Sequence, residues 1–189
     1  MIYPQYAEID GVKYKINTDY RTALACIKAI NDDEINDVER AIVVIALLFG
    51  EDTDISNMEE ALKKVNYYLS CGNTSNSHEV KDIVMDFEQD DKYIRTSIRT
   101  DYGINMNEIE YMHWWEYNEL IHGLTEHCIL SKIINIRTMD ESDYKDAKTL
   151  NKIRKAKKSV ALKGKKIQYN EDEKTLLKQL GIHLGEEVE

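Results

Sequence analysis

Proline occurs once in this chain, at Pro4, and that near absence constrains the fold more than any other feature. The residue that most often breaks a helix is missing from everything downstream, so the chain is free to be helical over most of its length. The exception is the start, where "YAEIDGVKYKI" alternates apolar and polar residues on both sides of Asp10-Gly11. That dipeptide suits a two-residue type I′ turn, whose central positions both need positive φ. The pattern predicts a small β-hairpin over residues 6–16.

Helical signals follow in series. Ala23, Leu24, Ile27 and Ile30 form one stripe after a start at Thr18 or Asp19, and "DVERAIVVIALLFG" predicts a second helix, apolar on most sides and ended by Gly50. Such a helix is expected to be central. Ser56 followed by Glu59 is a capping-box pattern, which predicts a helix over residues 57–70 before the polar loop "CGNTSNS". A short amphipathic piece over residues 80–85 leads into "DFEQDDKYIRTSIRTDYGI". There acids in front and Lys92, Arg95 and Arg99 behind match a helix macrodipole, and Gly103 supplies the left-handed end. Asn107 and Glu110 are read as the start of the next helix, and Gly123 with Thr125 as the break before "EHCILSKIINIR".

The expected fold class is mainly α: a multi-helix domain with a small N-terminal β-hairpin over residues 1–143, a basic helical arm over 144–168, and an acidic, partly frayed tail over 169–189. The arm rests on charge. Residues 145–168 hold ten Lys or Arg against the single acid Asp146, in a chain whose formal net charge is −10. Lys148, Lys152, Arg154, Lys155 and Lys158 are its candidate electrostatic residues, facing either the acidic body or an acidic partner. The overall acidity, and the presence of only Tyr144 as an aromatic residue at the arm, disfavour nucleic acid as its target.

"YMHWWEYNEL", residues 111–120, places both tryptophans of the chain side by side. If a helix runs from about residue 107, stepping about 100° per residue puts His113, Tyr117 and Leu120 on one stripe, with Trp114 at its edge. Trp115, Tyr111 and His122 then face the other way. This second face is covered by the hairpin or the arm, or it is shown to another chain. Tyr111, Trp114, Trp115 and His122 are accordingly the candidate partner-binding residues, because Trp and Tyr dominate interface energetics.

Catalytic and metal chemistry find little support. Asp86, Glu88 and Asp90 alternate like the opening of a calcium loop, but Asp91 stands where that loop needs glycine and Ser97 where it needs a bidentate glutamate. His113, His122, His127 and Cys128 lack the spacing of a zincin helix or a zinc finger. No phosphate-binding glycine loop or nucleophile elbow occurs, so the expectation is a noncatalytic protein without metal or cofactor. The three cysteines, Cys26, Cys71 and Cys128, are too scattered for a disulfide scaffold and fit a reducing cytoplasm. No run approaches the roughly 20 apolar residues of a membrane span.

The run "DFEQDDKYIRTSIRTDYGINMNEIEYMHWWEYNELIHGL" resembles the signature region of the bacteriophage gene-product-fifteen family. Asp86, Phe87 and Asp90 precede a helix with Tyr93 and Ile94, and Tyr102-Gly103-Ile104 and His113-Trp114-Trp115 follow. Tyr117 matches an aromatic position, and Glu116 departs from the basic residue the family more often carries. The likeness extends loosely over residues 6–155. It implies a protein from the tail gene clusters of long-tailed phages and prophages, encoded where tail assembly chaperones usually lie. Such chaperones bind the tape measure protein in the host bacterial cytoplasm until tube subunits replace them. A structural component of the virion tail, or a nucleic-acid-binding protein acting through the arm, are the alternatives.

Overall fold

The computed structural model describes residues 3–73 and 84–163. Among them the chain forms a two-stranded antiparallel hairpin and seven α-helices. Strands β1 (Tyr6–Ile9) and β2 (Val12–Lys15) pair in the register Tyr6 to Lys15 and Ile9 to Val12. Asp10 and Gly11 turn the chain at φ +47° and +77°, the positive pair a type I′ turn needs. The turn is tied down from outside: the Asp10 N–H donates to Glu60, and the Asn57 amide donates to the Asp10 carboxylate.

Helices α1 (Tyr20–Ile30), α2 (Asp37–Phe49) and α3 (Met58–Leu69) pack in sequence against one another, and β1 lies along α3. Small residues at the crossings, Ala23 and Cys26 of α1 and Ala61 of α3, are fully buried and let the helices approach. Helix α4 (Asp91–Tyr102) ends at Gly103 with φ +71°, the left-handed cap read from the sequence. Helices α5 (Trp114–His122) and α6 (Ile129–Thr138) pack on α4, and α7 (Ala147–Val160) lies along α6 with Ile153 buried.

Three expectations are corrected. Helix α2 is not central: Val38 is 69% exposed and Ile42 51%, and its buried residues, Val44, Ile45, Leu48 and Phe49, all lie in its C-terminal half. Hydrophobic periodicity shows that a face is apolar and cannot show that a neighbour reaches it. Helix α3 is capped by Asn57, whose side chain accepts from the Glu60 N–H, and not by Ser56. The capping box of the molecule belongs instead to α2, between Asn36 and Glu39. Residues 107–113 are not helical, and α5 starts at Trp114.

Of the piece expected over residues 80–85, residues 80–83 lie outside the described residues, and Val84 and Met85 are not helical. The end of the basic segment, 164–168, and the acidic tail, 169–189, also lie outside the described residues.

Candidate partner-binding site

The start of α5 is set by backbone pairing. Tyr20 N–H donates to Met112 O at 2.9 Å and Trp114 N–H to Thr18 O at 2.9 Å, so residues 112–114 lie extended against 18–20. The helix begins as soon as this pairing ends, with His113 as its N-cap. The His113 Nδ1 accepts the Trp115 N–H at 3.0 Å, which leaves the ring hydrogen on Nε2 to donate to Pro4 O at 3.0 Å. Histidine is an uncommon cap, and this hid the true start of α5 from a reading based on Ser, Thr, Asp and Asn.

The two tryptophans occupy the first two helical positions and reach the same target. The Trp114 indole N–H donates to Leu69 O at 3.1 Å, and the Trp115 indole N–H donates to Tyr68 O at 2.9 Å. These carbonyls belong to the last turn of α3, which has few donors of its own; Tyr68 O also accepts from the Cys71 N–H at 3.1 Å, whereas Leu69 O takes the indole. Adjacent tryptophans thus satisfy adjacent carbonyls. The turn after α3 closes around the second ring: Gly72 has φ +80°, and a Cβ there would come within 3.1 Å of the Trp115 ring.

Trp114 is buried in this structure. It is 1% exposed, stacked on Tyr117 and met edge-on by Phe87. Trp115 is half-buried. Among the described residues its cover is neither the hairpin nor the basic segment but the end of α3, where Tyr67 meets it edge-on and Tyr68 stacks on it. The residues before the hairpin add a second anchor to α5: Tyr3 stacks on His113 and donates to Glu119 at 2.7 Å, a bond that pushes the Tyr3 phenol up to about 12.

What remains at the surface is Tyr67, 46% exposed, the free part of Trp115, and Tyr111, 55% exposed. Tyr111 precedes α5, so the helical projection that paired it with Trp115 does not apply. Its hydroxyl is 2.6 Å from Thr18 Oγ1, while Tyr68 donates to Thr18 O at 3.0 Å, so Thr18 joins the two phenols. Tyr111 also walls a surface cleft of about 580 Å³ with Ile16, Leu47 and Phe49. His122 is exposed on α5, its Nδ1 2.8 Å from Asn118 O.

The acidic run before α4 has a role that local spacing could not reveal. Asp90 is fully buried and takes both ends of the Arg137 guanidinium, at 2.7 Å each. Arg137 also donates to Val84 O at 2.8 Å and to Val160 O at 2.6 Å. One side chain thus ties the start of α4, the segment leading into it, α6 and the end of α7. Asp86 caps the turn ahead of α4 by accepting from the Glu88 and Gln89 N–H groups.

Of the candidate arm residues, Lys148, Lys152, Lys155 and Lys158 are exposed on α7, whereas Arg154 is held by Glu141 at 2.8 Å. Spacings of four, three and three residues keep the four lysines on neighbouring parts of one helix face. His127 is exposed, and Cys128 caps α6 by accepting from the Ser131 N–H. The described helices include none long and apolar enough to cross a membrane.

A family model described as Bacteriophage Gp15 protein matches residues 3–162. No curated protein matches the chain, and no solved structure does.

Proposed function

The chain belongs to the Bacteriophage Gp15 protein family, a membership that points to a structural or morphogenetic role in phage assembly, and from it we propose a noncatalytic tail assembly chaperone that binds the tape measure protein. The family match carries this reading, since it spans all of the described helices and leaves outside only residues 1–2 and 163–189. The surface is compatible with it. Tyr67 on α3 and Tyr111 just before α5 leave large rings exposed, the kind of residue that anchors a protein partner at low entropic cost. Such work belongs in the host bacterial cytoplasm, before the tail is complete.

The test is co-expression with the tape measure protein encoded nearby, followed by affinity purification of this chain and of its Tyr67→Ser/Tyr111→Ser variant. The reading expects co-purification from the parent and much less from the variant at equal helical content. It also expects the chain to be missing from purified virions. A chain recovered stoichiometrically in virions would make it a structural tail component instead, and no co-purification at all would remove the chaperone role.

A further inference from the structure

Between α1 and the segment leading into α4 runs an open groove with a volume of about 760 Å³. Its floor is apolar, made by Leu24, Ala25 and Ile27 of α1 and by Met85 and Phe87 opposite, and all five are half-buried. Among the described residues its lining carries six carboxylates, Asp32, Asp33, Glu34, Asp86, Glu88 and Asp91, against two amines, Lys28 and Lys163. An apolar floor between acidic rims is the complement of a helix with leucine-like residues on one face and lysine or arginine beside them.

Size agrees. A helix about 10 Å across fills on the order of 400 Å³ per turn, so a groove of about 760 Å³ accepts about two turns. The chain's own lysine already illustrates the rim chemistry: Lys28 reaches from α1 across to Glu88, with 2.8 Å between Nζ and Oε1. Both of those side chains are about two thirds exposed, and a pair so exposed holds weakly and yields to a competing cation. Extended backbone is likewise accepted at the edge, where the Gln89 side chain pairs with both the N–H and the C=O of Lys163.

We propose that this groove is a docking site for a cationic amphipathic helical segment of another protein, seated by its apolar face on Leu24, Ile27, Met85 and Phe87 and by its lysines or arginines on the two acidic rims. The site is separate from the tyrosine surface of α3 and α5. It stands whether or not the tape measure protein is a client.

The test is fluorescence anisotropy on the full chain with three labelled 14-residue peptides: an amphipathic Leu/Lys helix, the same helix with Glu for Lys, and a Lys/Ser peptide of equal charge. The Leu/Lys peptide is expected to bind at least ten-fold more tightly than the Lys/Ser peptide, and the Glu peptide not to bind. Affinity should fall at least ten-fold in Asp33→Lys/Glu34→Lys, which changes only the exposed rim. It should stay within two-fold in Glu51→Lys/Asp52→Lys, which makes the same charge change outside the groove.

Equal losses in the two variants would mean attraction to a generally acidic molecule and overturn the proposal, as would equal binding of the Lys/Ser peptide. A full chain that ignores the Leu/Lys peptide but binds a peptide of residues 163–175 would assign the groove to the chain's own C-terminal segment, and the outside partner would be rejected.

Discussion

Removing the Asp90 carboxylate should cost this fold more than any other single polar deletion. The Asp90 and Arg137 side chains are 1% and 10% exposed and joined by two parallel bonds, so Asp90→Ala leaves a guanidinium buried without its counter-charge. Breaking one side of such a pair costs about 3–5 kcal/mol. Against a total stability of about 5–15 kcal/mol for a domain, that is a large share. With a urea m value of about 2 kcal/mol/M, the midpoint should fall by about 1.5–2.5 M.

Replacing both partners tests the mechanism. In Asp90→Leu/Arg137→Met no charge is stranded, and what remains lost are the bonds to Val84 O and Val160 O and the Asp86 N–H donation to Asp90, about 1–2 kcal/mol each when left unmade. The double variant should therefore be clearly more stable than the sum of the single changes. Urea titration followed by circular dichroism measures all of these. A loss below 1 kcal/mol in Asp90→Ala, or strict additivity in the double variant, would refute the buried pair as the tie between α4, α6 and α7.

The indole bonds make a second prediction: Trp114→Phe should destabilise by about 1–3 kcal/mol, the cost of an unmet Leu69 carbonyl and lost packing, and Trp115→Phe by less, because Tyr68 O keeps the Cys71 N–H; equal stability of Trp114→Phe to the parent would deny that Trp114 caps α3. Gly72→Ala, at φ +80° and against the Trp115 ring, should cost about 1–2 kcal/mol by thermal melting, with a neutral or stabilising outcome contradicting the turn geometry. Burial pushes the Cys26 thiol up to about 12 and the Cys71 thiol up to about 11, so under about one Cys71 in a thousand is thiolate at pH 8. Ellman's reagent should leave both intact in the folded protein and label them in urea, and rapid native labelling of either would contradict this.

Tyr3 supplies a pH dependence. Its folded pKa is raised to about 12, chiefly by donation to Glu119, so the stability it adds is fully present below the unfolded value near 10 and is lost as pH rises through about 10–12. The stability gap between parent and Tyr3→Phe should close across that window, and a gap that stays constant would rule out the bond.

Much of the fold was legible because it depends on neighbours in sequence. The hairpin follows from Asp10-Gly11, and the end of α4 from Gly103, since both need a backbone conformation that few residues tolerate. The candidate site was legible only in composition. Tyr111 and Trp115 were rightly noticed as aromatic residues in need of a neighbour, but their angular relation assumed a helix through residues 107–113. Pairing with residues 18–20, about ninety positions earlier, prevents that helix. Trp114, read as part of the surface, is core.

What the sequence determined by itself, then, is the mainly helical class, the N-terminal hairpin and the positions where most helices stop, because those are fixed by dihedral preferences acting over a few residues. Only the tertiary structure decided what each side chain meets. Asp90 and Arg137 lie 47 positions apart, the tryptophans cap a helix some 46 positions earlier, and Val38 and Ile42 stay exposed. A residue's chemistry is local, whereas its partner is set by how the chain returns in space.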